Sequence, residues 1–496
     1  MYVRFILLFF FLGFITNAQT ISGTVLDKKS NKPIPYATIQ FSKNQGIITN
    51  EEGRFSITLE DNISESDSIH ISSMGYEKIG VSTHSPIDSI LYLSPKAIEL
   101  GGVFVTNKNL TVDEVISNVK ERISQNYDFE LSQERLFFRE SEFNTIKKLN
   151  VDFKKSTIEE LNKKLIDSIV AILPKKSAYY TEILGEYSGD AERRKLHINK
   201  AAELYDKNNA VSMDAMSKRI ETIFKDNVKP DSYLKIKSGW FGTKVQVDSI
   251  LESNENAEGV KDKIEDQKEK KEFQKYRKSK LKSIVSSLFY NEDVKSNFLN
   301  KSSRYTFEIK DYTYINDQSV YIVSFAPKRS EDFKGTMYIN TEDFAIVRVD
   351  YNNVKPLKKF KLLGIQYQDN LYRNKVIFTK GENNKYHLKY LEMYRGGFFG
   401  FDRPLKVIEK NKHVKGKRKQ NELSLEINAV TTYKNKYEII VFDSKPLTEA
   451  DYKNSKENKT ITPEYLSKYN PDFWKGYTII APNAAIREFT AVSELE

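Results

Sequence analysis

Between residues 20 and 97 apolar positions recur at every second residue, and a period of two commits this segment to strands rather than helices. Ile21, Gly23 and Val25 share one face, followed by Ala37, Ile39 and Phe41, then Phe55, Ile57 and Leu59, then Ile69 and Ile71. Polar turn clusters separate these runs at Asp27 to Pro35, Asn50 to Gly53 and Glu60 to Asp67. Short strands at such regular spacing predict a β-sandwich. Gly53, placed just before Phe55 enters the core, is expected to supply a positive φ in a tight turn.

The residues upstream carry an export pattern. Arg4 gives a positive charge, Phe5 to Ile15 is an apolar run, and Thr16-Asn17-Ala18 sets small side chains at a cleavage site. Residues 1–18 are therefore expected to be a signal peptide cut after Ala18. The apolar run is short of the about 20 residues a membrane-spanning helix needs. The 496-residue chain has no cysteine. That excludes disulfides, thiolate metal sites, a cysteine nucleophile and a lipid-modified N-terminal cysteine. An exported chain without disulfides is held by core burial alone, and aromatic residues at 12% of the chain supply the material for cores. The net charge of +10 favours anionic lipid head groups or glycans as partners. Nucleic acid is not expected for an exported chain.

Four short motifs then occur in order. They are Ile21-Ser22-Gly23-Thr24-Val25, Lys32-Pro33-Ile34-Pro35-Tyr36-Ala37-Thr38-Ile39, Thr49-Asn50-Glu51-Glu52-Gly53-Arg54-Phe55 and Ser73-Met74-Gly75-Tyr76. Together they resemble the carboxypeptidase regulatory-like domain. The resemblance implies a seven-stranded, transthyretin-like sandwich over residues 20–97, at the head of a Bacteroidetes-type envelope protein. It implies no peptidase activity, because nothing in the chain looks like the zinc-bearing catalytic domain of that enzyme. Leu100 to Val105 is similar to the short apolar strand that follows such modules, with Gly101 and Gly102 where an acidic residue is usual.

The rest of the chain mixes helix and strand. Thr111 and Glu114 fit a capping box before an apolar stripe of Val112, Val115, Ile116, Val119 and Ile123, predicting a helix over 110–126. A second helix is expected from Ile158 to Leu173, capped by Ser156 and Glu159 and stopped by Pro174, and a third after Ser212. Strand-like runs lie at Arg135 to Phe143, Tyr179 to Tyr187 and Tyr233 to Ile236. Residues 252–282, rich in Glu, Asp and Lys, read as a charged helix or linker. From 303 to 443 alternation dominates again, and short connections favour sequential antiparallel pairing. Phe333 to Asn340, followed by Phe344 to Val349, resembles a strand pair of outer-membrane lipoprotein carriers. That resemblance implies a curved antiparallel half-barrel around a concave apolar face. The expected class is thus β-rich α+β, with 98–251 and 283–496 forming one larger domain.

Catalytic signatures are missing from the sequence. The five histidines, His70, His84, His197, His387 and His413, fit no metal-binding spacing, and no nucleophile elbow or nucleotide-binding loop occurs. Ser117 with Lys120 and Ser279 with Lys282 match S-x-x-K without its companion motifs. Glu140 and Glu142 would share a strand face, which brings two carboxylates close together as a hydrolase's acid pair can be. Two aromatic-glycine patches stand out, Gly239 to Gly242 and Gly396 to Phe401. Glycine disfavours regular strand, so their rings are placed on loops, where Trp240, Phe241, Phe398, Phe399 and Phe401 become candidate ligand-binding residues. No catalytic residue, metal ligand or cofactor is assigned. The expectation is a non-catalytic envelope protein with a binding or assembly role at the periplasmic face of the outer membrane. Its partners would be a lipid or acyl chain, or an outer-membrane protein. From the residues alone, a hydrolase whose site one sequence does not display, and a glycan- or peptide-binding surface protein, stay open.

Overall fold

The computed structural model describes residues 19–41, 46–59, 68–82, 89–96, 110–239, 241–247, 261–291, 294–315, 318–381, 383–412, 415–416 and 418–491. They fall into two compact units. The first contains the N-terminal strands together with Thr313–Ser319 and Asn470–Arg487; the second takes in Val105–Tyr312 and Val320–Tyr469. Residues 1–18, His84, the 100–105 segment, Trp240 and His413 lie outside the described residues.

The first unit is a seven-stranded sandwich: β1 (Gln19–Asp27), β2 (Thr38–Gln40), β3 (Gly46–Ile48), β4 (Arg54–Leu59), β5 (Ser68–Ser72), β6 (Ile79–Ser82) and β7 (Ile90–Leu93). One sheet runs β4-β1-β7, with β7 parallel to β1, and the other runs β3-β2-β5-β6. The alternation seen in the sequence becomes the core: Ile21, Val25, Ala37, Ile39, Phe55, Ile57, Ile69 and Ile71 are all buried. Gly53 has φ +71°, and its carbonyl accepts from the Val25 amide at 2.8 Å. Asn50 organises the same turn, its Oδ1 accepting from the Glu52 and Arg54 amides at 2.9 Å each. Its amide group donates outward to the carbonyls of Ala481 and Pro482, so the segment Asn470–Arg487 is held against the turn. Arg487 pairs with Glu52 at 2.7 Å, and Ile479 bridges to Ser56 beside β4.

The second unit is organised by one open sheet of 14 strands among the described residues. Its strands are β8 (Ser132–Ser156), β9 (Lys176–Gly189), β10 (Arg194–Tyr205), β11 (Ser232–Ser238), β12 (Phe241–Gln246), β13 (Tyr305–Ile315), β14 (Gln318–Pro327), β15 (Phe333–Asn340), β16 (Ile346–Asn353), β17 (Lys358–Leu362), β18 (Ile365–Lys380), β19 (Tyr386–Asn411), β20 (Lys419–Pro446) and β21 (Glu464–Leu466). The main path is β13-β14-β15-β16-β18-β19-β20-β8-β9-β10-β21. Pairing is sequential and antiparallel from β14 through β16 and from β18 through β20, with β16 joined directly to β18, as the short connections favour. The pair resembling the lipoprotein carriers is β15 with β16. The long-range step is β20 to β8, which joins residues near 140 to residues near 440 in one sheet.

Register explains the core. Phe138, Ile439, Leu391, Val376, Val349, Met337 and Val323 stand in one row across seven adjacent strands, all of them buried. One residue along, on the reverse face, runs a charged row: Glu182, Arg139, Glu438, Glu392, Lys375 and Asp350. Arg139 meets Glu182 at 2.6 Å, and Lys436 meets Glu438 at 3.0 Å and Glu392 at 3.3 Å. Pairing is what makes such burial of charge tolerable.

Seven α-helices occur among the described residues, six in the second unit and the last, Ala484–Arg487, in the first. They are α1 (Val112–Glu121), α2 (Ile123–Asn126), α3 (Lys163–Ile172), α4 (Lys207–Asn227), α5 (Lys261–Val285), α6 (Glu449–Asn454) and α7 (Ala484–Arg487). The Thr111–Glu114 capping box is present on α1. The second helix starts later than its spacing predicts: β8 runs on to Ser156, whose hydroxyl accepts from the Ile158 amide, and Asn162 caps α3 instead. The third starts earlier, at Lys207. The charged 252–282 stretch contributes α5, whose Leu281 and Ile284 are buried.

Candidate functional site

The site follows from the length of three strands. β8, β19 and β20 have 25, 26 and 28 residues, far beyond the usual 3–10. They continue past the row at Leu391 as a projecting sheet, to which the β17–β18 and β11–β12 hairpins are added on the β19 side. Because the pairing stays in register along β19 and β20, the face that holds Leu391 continues through a polar row of Arg395, Asn435 and Glu142 and then carries apolar residues again. Phe360, Tyr367, Phe399, Thr431 and Ile146 form one row across β17, β18, β19, β20 and β8. Leu362, Ile365, Phe401, Ala429 and Leu149 form the next. The opposite face carries Lys361, Gln366, Gly400, Val430 and Lys148 in the row between them.

At one end this apolar face is capped by a core cluster. Ile158, Leu165, Ile223, Val228, Leu234 and Val247 pack there, with Ile169, Met216, Phe224 and Val407 against them. At the other end α5 packs on the sheet: Arg277 meets Glu140 at 2.7 Å, and Lys280 lies over the Tyr437 ring. Between them, among the described residues, the face displays exposed apolar side chains. Phe399 is 42% exposed, Phe360 47%, Leu362 50% and Leu363 59%. Phe401, Ile365, Tyr367, Ile146 and Leu149 are half-buried. Phe241 at the start of β12 is also exposed, under the Arg403 guanidinium at 5.1 Å.

Arg403 holds this region together. Its Nε donates to Ser238 Oγ at 2.7 Å, and its terminal nitrogens donate to the carbonyls of Ser238 and Leu363. It thereby ties the turns of both added hairpins to β19. The β17–β18 turn is Leu363-Gly364, with φ of +46° and +82°. Positive φ at both central residues matches the twist of a two-residue hairpin, a geometry that favours Asn-Gly over Leu-Gly. A polar knot sits beside the aromatic rows. Tyr367 and Tyr433 both donate to Asp369 Oδ1, and the hydroxyls lie 3.4 Å apart. Gly397 leaves room for it, since a Cβ there would stand 3.0 Å from the Tyr433 hydroxyl. A groove of about 530 Å³ lies nearby, lined by Asn150, Val151, Asp152 and Asp402–Pro404 with Glu426–Asn428.

Of the five candidate aromatics, the structure brings Phe399 and Phe401 onto the apolar face. Phe398 points to the opposite face, paired in register with Gln368 and Thr432. The expectation of a loop fails: Gly396 to Phe401 lies inside β19. Its glycines serve close backbone packing in the sheet, since a Cβ at Gly397 would lie 2.0 Å from the Gln368 carbonyl. Sequence reasoning missed Phe360, Leu362, Leu363, Ile365, Tyr367 and Arg403. The alternation of Lys359, Phe360, Lys361 and Leu362 before Leu-Gly was the available signal.

Several of the remaining chemical candidates have partners within the fold. Glu140 is buried, and burial pushes its carboxyl up although Arg277 opposes the shift. Ser117 donates to Glu121 and Lys120 to Ser302, so the two do not form a dyad. His70, His197 and His387 lie on β5, β10 and β19. Lys389, buried on β19, donates to the Val441 carbonyl at 3.0 Å, and burial lowers its pKa to about 7.

Residues 21–105 match the family model of the CarboxypepD_reg-like domain, so the sandwich is a domain of that type. The match covers the N-terminal module alone. No curated protein matches the chain. Among solved structures, the crystal structure of MucB in complex with MucA(peri) aligns over 64% of this chain and 94% of that one, at 6% identity and a TM-score of 0.16. The complex structure of Pseudomonas aeruginosa MucA/MucB aligns over 67% and 98%, again at 6% identity and 0.16. At that score the likeness supports neither a fold nor a function. Among the described residues no helix is long and apolar enough to cross a membrane.

Proposed function

We propose that this chain is a non-catalytic protein of the cell envelope, exported by its N-terminal segment, that binds the acyl chain of a lipid on the open apolar face of its long sheet. The observation that carries the reading is the pair of apolar rows from Phe360 to Ile146 and from Leu362 to Leu149, left half-exposed between two helix-covered ends. A sheet face of this composition is buried in most folds against helices or another sheet. Here a flexible hydrocarbon chain fits the open stretch, with Tyr367 and Tyr433 offering polar edges to a head group. The CarboxypepD_reg-like module is then an accessory interaction or stability domain. The purified mature protein should bind a fluorescent fatty-acid probe, and Phe399→Asp should weaken that binding at least roughly tenfold, because a carboxylate on the face must be desolvated. Unchanged probe affinity in the variant refutes the site; absence of any probe binding by the native protein refutes the function.

A further inference from the structure

The β17–β18 hairpin combines three features that stability alone does not account for. Leu363, a γ-branched apolar residue, occupies a left-handed backbone position at φ +46° where Asn or Gly is favoured. Its side chain is 59% exposed, beside Phe360 at 47% and Leu362 at 50%. Residues 355–370 also carry Lys355, Lys358, Lys359 and Lys361 against the single acidic residue Asp369. Lys358, Lys359 and Lys361 are exposed, and among the described residues none of the three holds an ion pair.

We infer that this hairpin is a docking element that inserts its tip into an anionic lipid bilayer. The chemistry of the two faces fits that surface. Phe360 and Leu362 project from one face of β17 and Leu363 from the tip, an exposed apolar wedge of the residue types an interfacial segment buries. Lys359 and Lys361 project from the other face, with long stems that reach back to lipid phosphates while the wedge is in the acyl region. The Arg403 clamp on the Leu363 carbonyl, together with the Asp402 amide donating to the Gly364 carbonyl at 2.8 Å, keeps the strained turn rigid, so little ordering is needed on insertion. Docking stands on the hairpin alone and does not require the acyl-binding reading, although the adjoining face would receive a lipid drawn from the same bilayer.

The test is co-sedimentation of the full mature chain with vesicles of phosphatidylcholine alone and of phosphatidylcholine with phosphatidylglycerol. The native chain should sediment with the anionic vesicles and release at high salt. Leu363→Asn suits the left-handed position and keeps the turn, yet it should lower the vesicle partition coefficient roughly tenfold by removing the tip side chain from the bilayer. Lys359→Glu with Lys361→Glu should erase the preference for the anionic composition. Retained partitioning in Leu363→Asn, or equal partitioning to both compositions by the native chain, overturns the inference. If the lysines serve an acidic protein surface instead, neither vesicle sediments the chain, which also overturns it. Loss of vesicle binding with fatty-acid probe binding intact sinks docking alone; the reverse pattern sinks the acyl site alone.

Discussion

Replacing Gly53 by alanine tests how the sandwich is locked at its central turn. At φ +71° an L-residue pays about 1–2 kcal/mol for crowding between Cβ and the backbone. At this position the added Cβ would also stand 2.6 Å from the Val25 carbonyl oxygen and 3.2 Å from the Ile34 amide nitrogen. Those two atoms are hydrogen-bonded to each other at 2.9 Å, and Val25 donates its own amide to the Gly53 carbonyl at 2.8 Å. The neighbour is backbone of β1, which cannot swing aside as a side chain does. Relief must therefore stretch one or both bonds, at about 1–3 kcal/mol for a buried group left unpaired. The expected loss is about 2–5 kcal/mol in the stability of the module. The control is Gly476→Ala, at φ +83° with nothing within 4 Å of its Cβ, which isolates the backbone preference. Native-state hydrogen exchange of the Val25 and Ile34 amides in the full chain reports the module's opening free energy without needing a fragment. A Gly53→Ala loss within about 0.5 kcal/mol of the Gly476→Ala loss would show that the turn yields and that the argument from close approach is mistaken.

Glu182→Ala strips the main partner from Arg139, itself 1% exposed, and should destabilise the large sheet by about 3–5 kcal/mol in urea titrations; replacing both residues by apolar ones should recover most of it. Lys389, with its pKa lowered to about 7 by burial, binds its proton less readily folded than unfolded. Between pH 7 and the ordinary lysine value of 10.5 the unfolded chain holds more protons, so this residue makes stability rise with pH across that window. Lys389→Met should flatten the slope, and an identical pH profile in the variant would contradict the reasoning. N-terminal sequencing of protein from the envelope fraction should begin at Gln19; a mature chain starting at Met1 would dismiss the export signal.

Much was already present in local sequence. Period-two alternation places Ile21, Val25, Ile39, Phe55 and Ile57 in a core because successive strand side chains point to opposite faces wherever the strand ends up. The positive φ of Gly53 and the Thr111–Glu114 cap were likewise legible, since each depends on a few neighbouring residues. The aromatic-glycine run at Gly396 to Phe401 misled because glycine weakens a strand only on its own account. Inside β19 it is paired on both sides, to β18 and β20, and the ladder outweighs the local preference. Tertiary structure alone decided three further things. It extended β8, β19 and β20 past the core, set the β20–β8 register across nearly 300 residues of sequence, and left Phe399 42% exposed. Whether an apolar residue is buried or displayed depends on what packs opposite it, and that partner lies far away in the chain. Phe398 and Phe399 are therefore equivalent as a sequence pair, and only their neighbours across the sheet separate a polar face from a candidate lipid-binding one.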